Sequence, residues 1–147
     1  MGTNILNQIQ VTLLARIPTA GGDVMHAMKA GDIGYNGFGE AYVSLVESGA
    51  VKAWKQHSQM TLNLIVPLGE VRFVFFAPAS QPSFREEVIG ASHYGRITVP
   101  PGIWFGFQGL AEPHSLLLNL ANIAHDPGEV ARREINEVPF DWSQRPT

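Results

Sequence analysis

Lys55 and His57 stand two residues apart in Lys52-Ala53-Trp54-Lys55-Gln56-His57, a spacing that puts both side chains on one face of a β-strand. An imidazole titrates near neutrality, and a lysine stripped of water loses its preference for the charged form. Lining a cavity, Lys55 is a general base, or it stays charged against a phosphate or an enolate oxygen, with His57 relaying its proton. Facing solvent, the two are an ordinary pair at a strand end. Lys52 adds a second cation for phosphate or enolate.

Further residues of the right chemistry lie elsewhere. Glu40 and Tyr42 share a strand face and read as ligand contacts, or as an edge glutamate and a half-buried tyrosine. Tyr94, beside His93 and just before Gly95, is a proton donor or a packing residue, and Arg72 has the character of a phosphate clamp or an exposed strand residue. Asn63 interrupts the apolar run Leu62 to Val66, and a buried amide needs partners. It faces a cavity or solvent, and Asn119 and Asn122 interrupt a later run in the same way. Trp104 follows the corner Pro100-Pro101-Gly102 and reads as a stacking surface in the pocket, with Trp54 assigned to the core. His26, His114 and His125 have no evident partner and read as structural, although His26 lies near Lys29 and Asp32 in a glycine-rich segment.

Several other chemistries leave no trace. The chain has no cysteine, hence no thiolate nucleophile and no disulfide framework. It lacks a dinucleotide fingerprint, a phosphate-binding Gly-Lys-Ser/Thr loop and a Gly-x-Ser-x-Gly elbow. His125-Asp126 has no serine placed to complete a triad. With a formal charge of −3 and its basic pair Arg132-Arg133 flanked by Glu129 and Glu134, the chain offers no field for nucleic acid or an anionic membrane. The apolar runs Val71 to Ala79 and Leu116 to Ala124 are too short to span a bilayer. No secretory signal pattern opens the sequence, so a cytoplasmic location is expected.

The elements that must position these residues are strands. Apolar residues recur at period two from Ile9 to Ile17, and further strands are expected near Glu40–Val46, Ala50–His57, Thr61–Val66, Glu70–Ala77, Gly95–Val99, Ile103–Gln108 and His114–Ile123. Gly/Pro corners separate them. One domain over residues 1–147, all-β and built as a sandwich or jelly roll, follows. One short C-terminal helix is expected, with Asp126 as N-cap, Pro127 at the first position and Glu129 closing a capping box.

The stretch Gly49-Ala50-Val51-Lys52-Ala53-Trp54-Lys55-Gln56-His57, then Gly69, then Val99-Pro100-Pro101-Gly102-Ile103-Trp104-Phe105-Gly106-Phe107 resembles the two strand motifs of a cupin. Within cupins it looks most like the dTDP-4-dehydrorhamnose 3,5-epimerase family. That family carries Gly-x-Leu-Arg-Gly-Leu-His, a hairpin glycine, Ile-Pro-x-Gly-x-x-His-Gly-Phe and a tail with Pro, Glu and Ile-x-Trp. The tail appears here as Asp126-Pro127-Gly128-Glu129 and Pro139-Phe140-Asp141-Trp142, so the resemblance runs from Gly37 to Trp142.

The resemblance implies a cupin double-stranded β-helix and a homodimer joined through its first strand and sheet edge. It also implies chemistry beside a 4-keto group: a histidine removes a proton, cations hold the enolate and a tyrosine returns a proton. Residue by residue, the family arginine falls on Lys52, its histidine base on Lys55, its lysine near Leu62, the later histidine on Phe105 and the tyrosine close to Leu118. The aspartate that backs the base lies beyond the tail tryptophan, and only five residues follow Trp142. Glu40 and Tyr42 align with nucleotide-sugar contacts. Metal-dependent cupins need about three or four converging ligands, and of their histidine positions only His57 remains, so neither metal nor other cofactor is expected.

The expectation is an epimerase or isomerase for a dTDP-4-keto-6-deoxysugar type of nucleotide sugar, in carbohydrate metabolism such as cell-surface polysaccharide biosynthesis. Its non-standard, metal-independent site has Lys55, His57 and Tyr94 as catalysts, with Glu40, Tyr42, Lys52, Asn63, Arg72 and Trp104 as substrate contacts. The alternative is a non-catalytic sugar-nucleotide or carbohydrate-binding cupin.

Overall fold

A computed structural model of the chain describes residues 4–146. Among these run twelve strands: β1 (Gln10–Leu13), β2 (Arg16–Ile17), β3 (Val24–Met25), β4 (Glu40–Glu47), β5 (Val51–His57), β6 (Leu62–Leu68), β7 (Glu70–Ala77), β8 (Ser83–Gly90), β9 (Gly95–Val99), β10 (Trp104–Gly109), β11 (His114–Ala121) and β12 (Val130–Arg132). One sheet has the order β1-β9-β6-β11-β4 and the other β12-β5-β10-β7-β8, with β2 and β3 as a small separate hairpin. The pairings are antiparallel. This is the expected jelly roll, and among the described residues no helix is long and apolar enough to cross a membrane.

Period-two side chains build the barrel interior. Leu62, Leu64 and Val66 of β6 meet Phe73 and Phe75 of β7 and Phe105 and Phe107 of β10, all buried in one cluster. Each such side chain contributes about 2 kcal/mol by leaving water. A second cluster of Trp54, Val74, Phe76, Trp104, Val138 and Trp142 covers the outside of the second sheet. Both faces of β7 are therefore buried, which accounts for its unbroken apolar run. The turn from β6 to β7 needs Gly69, whose φ of 86° is open to glycine and strained for other residues.

Several expectations change. The first strand breaks in two at Leu14-Ala15, and β8 was hidden by its charges. No α-helix follows Asp126. Its side chain does cap, accepting from Gly128 N at 2.9 Å, but the element is a 3-10 turn of three residues, Pro127–Glu129, leading straight into β12. Glu129 turns inward instead of closing a capping box, and the reaching-back carboxylate belongs to Glu137, which accepts from Glu134 N in the next 3-10 turn.

Two expected substrate contacts are structural. Arg72, 1% exposed, lies on the outer face of β7, ion-paired to Glu86 at 2.7 Å and donating to Gln144 O at 2.8 Å. Its guanidinium sits 5.0 Å from the Phe140 ring centre, so it clamps the C-terminal tail rather than a phosphate. Asn63 points away from the barrel. It donates to Gly34 O and accepts from Thr98 Oγ1, tying the 26–37 segment to the first sheet.

The outer face of the first sheet carries an uncovered apolar stripe. Leu45, Leu116 and Leu68 form one row across three strands, and Val43 and Leu118 the next, which ends at the buried Ile65. Val43, Leu45 and Leu68 are each more than half exposed.

Candidate active site

Lys52, Lys55 and His57 come to one face of β5 through an irregularity. In a regular strand residues three apart point to opposite faces. Here Lys55 pairs with Phe105 while Ala53, not Trp54, pairs with the next residue, Gly106. Trp54 is thus the extra residue of a β-bulge, a device that re-aims side chains. Ala53 and Trp54 both turn outward to the aromatic cluster, and Lys52, opposite Phe107, turns inward with Lys55. On the other side of β5, β12 places Arg132 opposite Lys55.

The result is a cavity of about 490 Å³ at the barrel mouth, lined by Lys52, Lys55, Arg132, Arg133, Ser44, Glu134 and Glu137, with Trp54 at its rim. Beneath it lies a chamber of about 30 Å³, walled by Leu62, Leu64, Phe105, Phe107 and Leu117, with Tyr42, Ser44 and Asn119 as its polar residues. Lys55 and Ser44 line both spaces. Burial, then Arg132 and then Lys52 hold the Lys55 pKa below the ordinary lysine value. Among the described residues it makes no ion pair or hydrogen bond. An amine in this setting approaches the unprotonated, reactive form.

Behind Lys55 is a buried acid–imidazole pair. His57 Nδ1 lies 2.5 Å from Glu129 Oε1, and both side chains are 4% exposed. The other Glu129 oxygen accepts from the backbone N–H groups of Gln59 and Met60. These hydrogen bonds keep the Glu129 pKa below the ordinary carboxyl value against the pull of burial. Burial, with the Lys55 and Arg132 charges, lowers the His57 pKa below its ordinary value although Glu129 raises it. The pair is therefore carboxylate and neutral imidazole, with the proton on Nδ1 and a buried Nε2 that has no partner among the described residues. The ring lies flat against Phe105, 6.3 Å between centres.

The remaining expected site residues divide. Tyr42 faces the chamber, its hydroxyl accepting from Asn119 Nδ2 at 3.0 Å. Glu40 is on the same strand face, but its carboxylate is spent on His125 N at 2.7 Å. Tyr94 lines neither space; its hydroxyl donates to His26 O at 2.8 Å. Trp104 is in the outer cluster, stacked on Phe76 and covered by the Arg133 guanidinium at 4.5 Å. The Pro-Pro-Gly corner gave no sign of which face it would take. Glu129 and Arg132 are site residues that the sequence reading did not include. Among the described residues no three His, Asp or Glu side chains converge as a metal site.

No protein-family model matches the sequence, and the search of curated proteins finds no match. Solved structures do match. A dTDP sugar isomerase from Desulfovibrio desulfuricans is 30% identical with a TM-score of 0.87, covering 94% of this chain and 92% of that one. A sugar 3,4-ketoisomerase from Thermoanaerobacterium thermosaccharolyticum, solved with TDP, is 17% identical with a TM-score of 0.74 over 87% of this chain and 90% of that one. A dTDP-6-deoxy-D-glucose-3,5-epimerase from Legionella pneumophila, solved with dTDP-4-keto-L-rhamnose, shares 15% identity and a TM-score of 0.76 over 92% of this chain and 78% of that one. The last two share the fold. The identity and coverage of the first, together with the barrel and its motif strands, establish that the chain belongs to the RmlC-like cupin family of dTDP-sugar isomerases and epimerases.

Proposed function

We propose that this protein is a metal-independent epimerase or isomerase for a nucleotide-linked 4-keto-6-deoxysugar, with its reacting centre at Lys55. The observation that carries this reading is the unpartnered, desolvated Lys55 amine at the floor of a cavity rimmed by Lys52, Arg132 and Arg133. The cationic rim suits a diphosphate, and the apolar chamber suits a deoxy position on the sugar. Lys55, whose charged form is disfavoured by burial, is the reactive amine beside the keto group, and His57, oriented by Glu129, moves its proton. A second reading, a binding cupin without chemistry, draws on Phe105, which puts an apolar ring on the strand opposite Lys55.

Isothermal titration with TDP tests the site. Wild type is expected to bind, and Lys52→Ala and Arg132→Ala each to weaken binding about tenfold, the loss of one charged contact. Failure to bind TDP or any sugar nucleotide would contradict both readings.

A cytoplasmic homodimer, one domain per chain and acting in carbohydrate metabolism, belongs to the same proposal. The Val43–Leu45 stripe supports the dimer, since an apolar patch of this kind marks an interface. Sedimentation is expected to give a dimer for wild type and a monomer for Leu45→Glu; a monomeric wild type would contradict it.

A further inference from the structure

We propose that Lys55 works as a nucleophile: its amine attacks the carbonyl carbon of the keto sugar and carries the substrate as an imine through the proton-transfer step. The inference rests on the reading above, that a 4-keto sugar nucleotide enters the barrel mouth.

Three features of the site carry it. Lys55 lines both the mouth cavity and the inner chamber, so a sugar seated across the two spaces meets its side chain. The chamber is walled mostly by Leu62, Leu64, Phe105, Phe107 and Leu117, and although Tyr42, Ser44 and Asn119 also line it, Lys55 bonds to none of them and no carboxylate is among its residues. The charges that act on its pKa, Arg132 across the β5–β12 pairing and Lys52 beyond the bulge, are themselves cations. An apolar pocket and a neighbouring cation are the two ways of activating a lysine for carbonyl attack. The depressed Lys55 pKa agrees with this.

The step balances without an oxidant or reductant. The nitrogen lone pair bonds to C4 as the carbonyl π electrons move to oxygen, which takes up protons and leaves as water. The iminium then draws the C3–H electron pair into a C3=C4 bond while its own π pair returns to nitrogen. The released proton passes to the water set free in the first step, and the buried Nε2 of His57, on the same strand face but lining neither space, is the acceptor behind it. Reprotonation of C3 from the other side and hydrolysis at C4 free the epimer and the lysine; C5 reacts by the same course. The product is an epimer rather than a shifted ketone, because a 3-ketone would leave nitrogen on C4 through a single bond that water cannot cleave.

The test is reductive trapping. The protein is incubated with dTDP-4-keto-6-deoxyglucose and sodium cyanoborohydride near neutral pH, with solvent-deuterium exchange into the sugar followed in parallel. The expected result is an intact-mass gain of one substrate less one oxygen, since condensation removes water and reduction returns two hydrogens, mapped by peptide sequencing to Lys55 and missing in Lys55→Arg. Peptide mapping of wild type decides the matter even if that variant does not fold. Exchange without an adduct, or an adduct on another lysine, would overturn the imine and leave the isomerase reading standing. Neither exchange nor adduct would overturn both.

Discussion

Lys55→Met is expected to lower the rate of solvent exchange at the sugar carbon beside the ketone by about 1,000-fold, the scale of a positioned proton-transfer or nucleophilic group. TDP affinity should change by less than about threefold, because the rim cations Lys52 and Arg132 remain. The same substitution is expected to raise the Tm. Lys55 sits in the apolar wall without a partner among the described residues and between two cations, so methionine of similar length removes a desolvated charge and keeps the packing. Lys55→Arg separates the possible roles: a guanidinium holds an anion but neither attacks a carbonyl nor accepts a proton. Retained exchange in the arginine variant would make Lys55 an anion anchor, and retained exchange in the methionine variant would remove it from the chemistry.

Glu129→Ala is expected to cost about 4 kcal/mol of stability, since two buried donors, His57 Nδ1 and the Met60 N–H, and the part-buried N–H of Gln59 lose their acceptor. For a chain of this size that is roughly 8–16 °C in Tm. Glu129→Gln keeps an acceptor and costs less, but it changes the pH dependence. His57 titrates below its ordinary 6.5 in the folded state, so as pH falls through that value the unfolded chain gains a proton that the folded one refuses, and stability drops. Glu129 titrates below its ordinary 4.5, so its contribution is present above that pH and is lost as the pH falls toward its folded value. Both act in the same direction. Denaturant titrations between pH 4 and 8 should show wild-type stability rising with pH. In Glu129→Gln the loss below pH 4.5 should shrink while the loss that begins near 6.5 persists. Identical pH profiles would show that the carboxylate is not held ionised. As a positioning residue, Glu129 should also shift the pH dependence of exchange, an effect that loss of stability alone does not produce.

The parts of this molecule that were legible in its sequence are those governed by local period and turn geometry. Gly69 and the period-two strands announce the jelly roll, and the two-residue spacing of Lys55 and His57 correctly puts them on one face. The bulge at Trp54 is invisible to that spacing, so Lys52 could be placed beside Lys55 only through the Lys55–Phe105 and Ala53–Gly106 pairs. Glu129 was read for its neighbours, Asp126 and Pro127, when its partner lies 72 residues away. Arg85, Glu86 and Glu87 gave β8 the look of a solvated loop, although Arg85 pairs with Glu87 and Glu86 serves Arg72. Arg72, Asn63 and Trp104 have side chains suited to a ligand, but strand register turned them outward, where other parts of the chain already use them.

The most direct measurement of the central claim is mass spectrometry of dTDP-4-keto-6-deoxyglucose after incubation with the protein in D2O. The account predicts deuterium at C3 or C5 of the sugar, at a rate that falls by about 1,000-fold in Lys55→Met. Absence of deuterium from a sugar nucleotide that demonstrably binds would contradict it and leave a protein that recognises the substrate without transforming it.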